Sequence, residues 1–171
     1  MSRKMLCIMS VIVIVGLLLP IATLGAGNNG PVNVGAGRVT GGAAMWDEAE
    51  GVFLRVNIMV QYDDPDVRGF VRLHLRDLYV TTAIDKVTEM DPAYVSGGVM
   101  VGKRAGFEGT IVDTNFPGLE GLRVEFQVDD RGTPGTGYNR IRWDVAGIGD
   151  TGWIETERGN LSIHIPPGLR R

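Results

Sequence analysis

Alternation of apolar and polar side chains is the strongest signal in the chain. Val52, Leu54, Val56, Ile58 and Val60 alternate with Phe53, Arg55, Asn57, Met59 and Gln61, the two-residue period of a strand with one buried face. The even positions are therefore expected to face a core. Asp63-Asp64-Pro65-Asp66 ends this run, because proline brings no ladder donor and aspartates bond to nearby backbone in turns. A second strand follows, with Val71, Leu73 and Leu75 on one face and Arg72, His74 and Arg76 on the other.

Further β-branched or aromatic segments lie near 78–82, 84–90, 94–101 and 107–112, separated by Asp91-Pro92, Gly97-Gly98 and Gly102 to Gly106. The clearest strand is Leu122 to Asp129, where Leu122, Val124, Phe126 and Val128 alternate with Arg123, Glu125, Gln127 and Asp129. Beyond the glycine-rich loop from Asp130 to Gly137 comes a strand with Ile141, Trp143 and Val145 inward, predicted to pair with it as a hairpin. Trp153-Ile154 and Leu161, Ile163 and Ile165 flank a predicted turn at Glu157-Arg158-Gly159-Asn160. No stretch of this region keeps an apolar stripe at helical spacing, and strands recur every 8–12 residues or so. The expectation is an all-β fold, a single antiparallel β-sandwich of jelly-roll-like or Greek-key type, over residues 37–171.

The amino terminus reads differently. Arg3 and Lys4 precede an apolar run from Leu6 to Leu19 that Pro20 breaks, and Thr23, Gly25 and Ala26 supply small residues for a peptidase. This is the order of a secretory signal peptide over residues 1–26. The rival reading is an uncleaved anchor, since Leu6 to Leu24 is about long enough to cross a bilayer. In either case the remainder is expected outside the cytoplasm, secreted or at the cell surface. Residues 27–36, rich in glycine and asparagine, read as a flexible leader.

Composition sharpens the picture. In a chain of 171 residues, 25 glycines and 8 prolines are too many for a helical bundle and suit turn-rich β structure. Cleavage after Ala26 leaves 145 residues, and loss of Arg3 and Lys4 takes the net charge from −3 to −5. A mildly acidic chain without a basic patch lacks the electrostatic footprint of a nucleic-acid binder. The single cysteine, Cys7, lies in the apolar run, so the processed domain has no disulfide and no thiolate chemistry.

Three phrases, Gly37-Arg38-Val39-Thr40-Gly41-Gly42, Val128-Asp129-Asp130-Arg131-Gly132-Thr133-Pro134-Gly135 and Gly159-Asn160-Leu161-Ser162-Ile163-His164, resemble in order the signatures of the post-choice-of-anchor (post-COAP) type of β domain in secreted bacterial and archaeal proteins. Gly69 to Asp77 and Phe107 to Val128 resemble the strands between them. The chain departs from that pattern at Ala43, at Thr133, in a one-residue insertion before Asn139 and in a longer segment from Gly106 to Gly121. The resemblance implies an extracytoplasmic β-sandwich, often appended to surface proteins, and carries over no catalytic residue.

Candidate chemistry is sparse. Ser96, Ser162, His74 and His164 are the whole supply for a serine mechanism after the signal, and neither serine sits in a nucleophile elbow. Glu108, Glu125, Asp144 and Glu155 are conceivable glycosidase carboxylates, but outward acids on strands more often pair with arginines such as Arg123, Arg140 and Arg142. No catalytic residue is assigned and no cofactor is required. Asp63, Asp64 and Asp66, and Asp129 with Asp130, are candidate calcium ligands, without the spacing of a helix–loop–helix site. Trp46 and Trp153 are candidates for stacking on sugar rings, whereas Trp143 reads as core. Asn160-Leu161-Ser162 matches a glycosylation sequon. The leading expectation is a non-enzymatic structural or interaction module whose partner is an extracellular protein or a glycan. A carbohydrate-binding module or glycan-active enzyme and a subunit of a surface polymer are the alternatives. The membrane enters only through the signal segment, if it is uncleaved.

Overall fold

The structure, a computed structural model, describes residues 36–47, 51–96, 99–132 and 139–166. The expected signal peptide, the expected leader up to residue 35 and part of the predicted glycine-rich loop lie outside the described residues. What is described is all β, in ten strands. These are β1 (Ala36–Asp47), β2 (Val52–Asp63), β3 (Asp66–Leu75), β4 (Leu78–Ser96), β5 (Val99–Thr114), β6 (Arg123–Asp130), β7 (Arg140–Val145), β8 (Gly149–Asp150), β9 (Ile154–Glu155) and β10 (Arg158–His164). They form one antiparallel sheet in the order β10-β1-β2-β3-β4-β5-β6-β7-β8, with β9 also on β7.

Eight of these strands follow one another as a meander. The last one departs from it: β10 returns beside β1, as the fourth strand of a Greek key does, and also comes against β5 and β6. The sheet is thus rolled, and opposite stretches of it pack as two layers on one shared core. β1 begins at Ala36, the residue assigned above as the last of the leader.

The expected faces hold in the strongly alternating strands. Val56, Ile58 and Val60 of β2, Val124, Phe126 and Val128 of β6 and Ile141 of β7 are buried together. Across β5 and β6, Phe107 stacks on Phe126 with ring centroids 5.7 Å apart. β6 and β7 pair as predicted, Phe126 opposite Trp143 and Val128 opposite Ile141.

The segments near 78–112 differ from the expectation in an instructive way. Four short strands were expected there, and two long ones are found. In β4, Ile84, Val87 and Met90 lie opposite Gly109, Phe107 and Ala105 of β5. Three residues on one strand are matched by two on the other, twice in succession. Each step is a β-bulge, which adds a residue and re-aims the next side chain inward. Asp91-Pro92 is absorbed by a further shift between Asp91 and Tyr94, because proline is tolerated at a bulge.

The predicted turn at 157–160 is also replaced. Arg158, Gly159 and Asn160 belong to β10, opposite Ala44, Ala43 and Gly42 of β1. Two glycines make this pairing possible. A Cβ on Gly41 (φ +143°) would overlap the Asn160 carbonyl, and one on Gly159 (φ +89°) would overlap that of Gly42.

β10 is the seam of the roll. One edge pairs with β1, and side chains from the other end of the sheet satisfy its opposite edge. Asn139 Nδ2 donates to Leu161 O at 2.8 Å, Ile163 N donates to Asp130 Oδ2 at 3.0 Å, and Lys103 Nζ donates to Ile163 O at 2.8 Å. Asn139 also accepts from Arg131 N through Oδ1 at 3.0 Å. Leu161 and Ile163 are fully buried beneath these contacts. Asn139→Ala leaves a buried carbonyl and a backbone amide unpaired, at a cost of about 2 kcal/mol. Urea denaturation is expected to show that loss, and hydrogen exchange to speed up in β10 more than in β2 and β3.

Candidate functional site

The densest polar cluster lies on the outer face of β4 to β9, where strand register sets charges in a row. Asp91, Arg104, Asp129, Arg140 and Glu155 stand directly opposite one another on β4, β5, β6, β7 and β9. Asp129 is at the centre and only 1% exposed, although its strand position is outward. It accepts from Arg104 Nε at 2.7 Å and Nη2 at 3.0 Å, and from Arg140 Nε at 2.6 Å. One carboxylate therefore holds two guanidiniums, one of them through a bidentate fork.

Aromatic rings enclose this cluster. The Arg104 guanidinium lies 3.4 Å from the Tyr94 ring centroid and 4.9 Å from that of Trp153, and Arg140 lies 4.2 Å from Trp153. Cations over ring faces gain from the ring quadrupole, most of all when water is excluded. Burial works to depress the Arg104 pKa, and the Asp129 hydrogen bond, with the charge of Asp129 and of neighbouring acids, outweighs it, so the pKa is raised overall. Glu89 next to the cluster is pushed up, chiefly by burial, with Arg104 pulling it partly back.

A second row on the same face is acidic. Glu108, Glu125, Asp144 and Asp150 are successive cross-strand neighbours on β5, β6, β7 and β8. Lys86 Nζ pairs with Glu108 at 3.0 Å and Arg123 with Glu108 at 3.3 Å. Those contacts lower the Glu108 pKa, the Lys86 hydrogen bond foremost. Arg142 comes within 3.7 Å of Asp150. The fold thus brings three of the four conceivable glycosidase carboxylates side by side and sets the fourth, Glu155, in the row of Arg140, with Arg131 3.7 Å away.

The other sequence candidates are scattered. Asp63, Asp64 and Asp66 make the exposed turn between β2 and β3. Asp129 commits its oxygens to arginines, and Asp130 accepts main-chain amides of Ile163 and Gly132. Among the described residues, no group of three or more His, Cys, Asp or Glu has the geometry to hold a metal ion. Trp153 sits among arginines. Trp46, 43% exposed, meets Phe53 edge-on with centroids 5.0 Å apart, and Arg158 lies over that Phe53 ring. Asn160, half-buried, donates to Ser162 Oγ at 2.9 Å. Trp143 packs against the core as expected.

Two concavities lie among the described residues. One is an open crevice of about 500 Å³ with mixed walls, bordered by Arg38, Gln61, Lys103 and His164 and by Ile165 and Pro166. The other, at the opposite end of the core rows, is an apolar cavity that periodicity could not reveal, because its walls come from β2 to β7 at once. Among the described residues, no helix is long and apolar enough to cross a membrane. Comparison of the chain with protein-family models, curated proteins and solved structures gives no match.

The buried cluster and its neighbour yield two expectations. Asp129→Asn leaves two arginines poorly compensated and is expected to cost about 3–5 kcal/mol in chemical denaturation. An acid whose pKa is raised by folding holds its proton more tightly folded than unfolded. Stability then falls as pH climbs from the ordinary carboxylate range to the raised value, and stays reduced above it. Glu89→Gln is therefore expected to melt higher than the parent at pH 7, with the gap closing below the ordinary carboxylate pKa.

Proposed function

We propose that the chain is an exported, non-catalytic β module that serves at the cell surface or in the medium as a structural or interaction part. One observation supports this above the others. The described parts of the three family-like phrases come together at the seam, where Gly41 and Gly159 admit β10 beside β1 and Asp130 takes the Ile163 amide. The features that make the sequence resemble post-COAP domains thus serve closure of a disulfide-free fold, and partner recognition is left to loops and sheet ends. The signal-like amino terminus supports export.

Trp46 favours a second reading. It is exposed beside Phe53, and an aromatic pair of this kind can stack on a sugar ring. The polymer reading requires a free edge for strand addition, and β4 beyond Ala83 has no ladder partner on its β3 side among the described residues. At the ends of the sheet, Asn139, Asp130 and Lys103 occupy the outer edge of β10, and β8 and β9 cover that of β7.

Expression of the full chain in a secreting host is expected to yield a product outside the cytoplasm, with a mass matching removal of about 26 residues. A product retained whole in the membrane fraction would replace cleavage by the anchor. A polysaccharide pull-down is expected to retain no protein. Retention that Trp46→Ala abolishes and Trp153→Phe leaves intact would put the glycan-binding reading first.

A further inference from the structure

We propose that the apolar cavity at one end of the rolled sheet is a binding site for an uncharged hydrocarbon group of about six carbons, either a single ring or the end of an alkyl chain. The cavity measures about 130 Å³, close to the roughly 150 Å³ of an engineered apolar cavity that stays dry and admits benzene. Leu54, Leu73 and Leu75 line one side, and Val124, Phe126 and Trp143 another.

The lining chemistry selects the occupant. Among the described residues, no charged side chain borders the cavity, and the hydroxyl groups on its walls are those of Tyr79, Thr82 and Thr151. Two of these are engaged elsewhere. Tyr79 donates to Asp113 Oδ1 at 3.0 Å, and Thr151 Oγ1 bonds to main-chain atoms of Trp143 and Gly152. An ordered water needs two to four polar partners, which such walls do not offer. A carboxylate or ammonium would meet nothing to offset its desolvation. A hydrocarbon loses water contact and gains dispersion contacts that the void lacks.

The site is also preformed. Its roof includes Phe116 and Leu119, from the segment between β5 and β6. That segment is tied at both ends: Asn115 Nδ2 donates to Asp77 O at 2.6 Å and Asn115 Oδ1 accepts from Tyr79 N at 2.9 Å, while Gly121 N donates to Ile111 O at 2.9 Å. Little ordering is left for a ligand to impose, which favours affinity. Away from the cavity the core is fully buried, with Phe107, Ile141, Leu161 and Ile163 at 0% exposed. An unfilled space bordered by leucines is out of keeping with that packing.

The test is a methyl-detected NMR titration of the folded chain with benzene and, separately, with n-hexane. Saturable shifts are expected at methyls of Leu73, Ile111, Val124 and Val145, and not at those of Val39 or Ile163. Leu119→Trp and Ile148→Trp, at the mouth on separate connections, are each expected to weaken binding at least tenfold. Binding of benzene alone assigns a ring, and binding of hexane alone assigns a chain end. Absence of saturable shifts up to the solubility limit of both probes overturns the proposal, as do shifts that a folded mouth variant leaves unchanged. Should both variants fail to fold, the titration of the unaltered chain decides.

Discussion

Closure of the sheet along β10 is the constraint on which the remaining structure depends. A meander of strands has two edges, and each edge carries a row of unmet amides and carbonyls. Here the first strand receives β10 through a regular ladder. The far end of the sheet reaches β10 through three side chains, Lys103, Asp130 and Asn139. Side chains suffice because only a few main-chain groups of one short strand need partners. The gain is a single core shared by all the long strands, with Val39 and Ile163 at the seam buried as fully as Phe107 in the middle. For a domain without disulfides this matters, since burial of apolar area is its main source of stability.

The outer face of β4 to β9 follows from the same geometry. Opposite charges directly across a ladder stabilise it, and like charges oppose it. The row through Asp91, Arg104, Asp129, Arg140 and Glu155 alternates in sign at every step. A slip of one residue would turn Arg104 and Asp129 into the core and Val128 out of it. Burying Asp129 has a desolvation cost that the two arginines must offset. What the row adds most clearly is register across five strands, two of which carry bulges or span only two residues. The Tyr94 and Trp153 rings lower the water content around the cluster and so strengthen its attractions.

Much of this architecture can be read from the sequence wherever one face is wet and the other dry. β2, β6 and β7 are of that kind, and their inward residues follow from alternation alone. β1 escapes notice because Gly41-Gly42-Ala43-Ala44 holds too little apolar volume to show a period, and its strand character comes from the partners on both sides. β4 reads as separate short segments because its bulges break the two-residue alternation, leaving inward residues three apart at Ile84, Val87 and Met90. Asp129 shows the same limit in the charged set. Its outward position suggests a solvated acid or a calcium ligand, and only tertiary structure brings Arg104, 25 residues earlier, against it. A usable hint was present in Arg140 on the paired strand, which the hairpin register places directly opposite Asp129.

The two ends of the roll differ in a way that bears on where recognition can occur. At the seam end, β10 is held by the β1 ladder along one edge and by Lys103, Asp130 and Asn139 along the other, so substitutions there act on folding before they act on any partner. At the other end, Leu73 and Leu75 continue an apolar face past the point where the opposite layer can reach them. The segment from Asn115 to Leu122 bridges the gap with Phe116 and Leu119 instead of a strand. A bridge of irregular backbone cannot interdigitate with leucines as a pleated layer does, and this explains why the unfilled volume lies there. The rigidity of one end and the spare volume of the other thus share a cause, a sheet sealed along a single line and roofed by a tied connection. Variation in that connection can alter what the end accommodates without disturbing the seam.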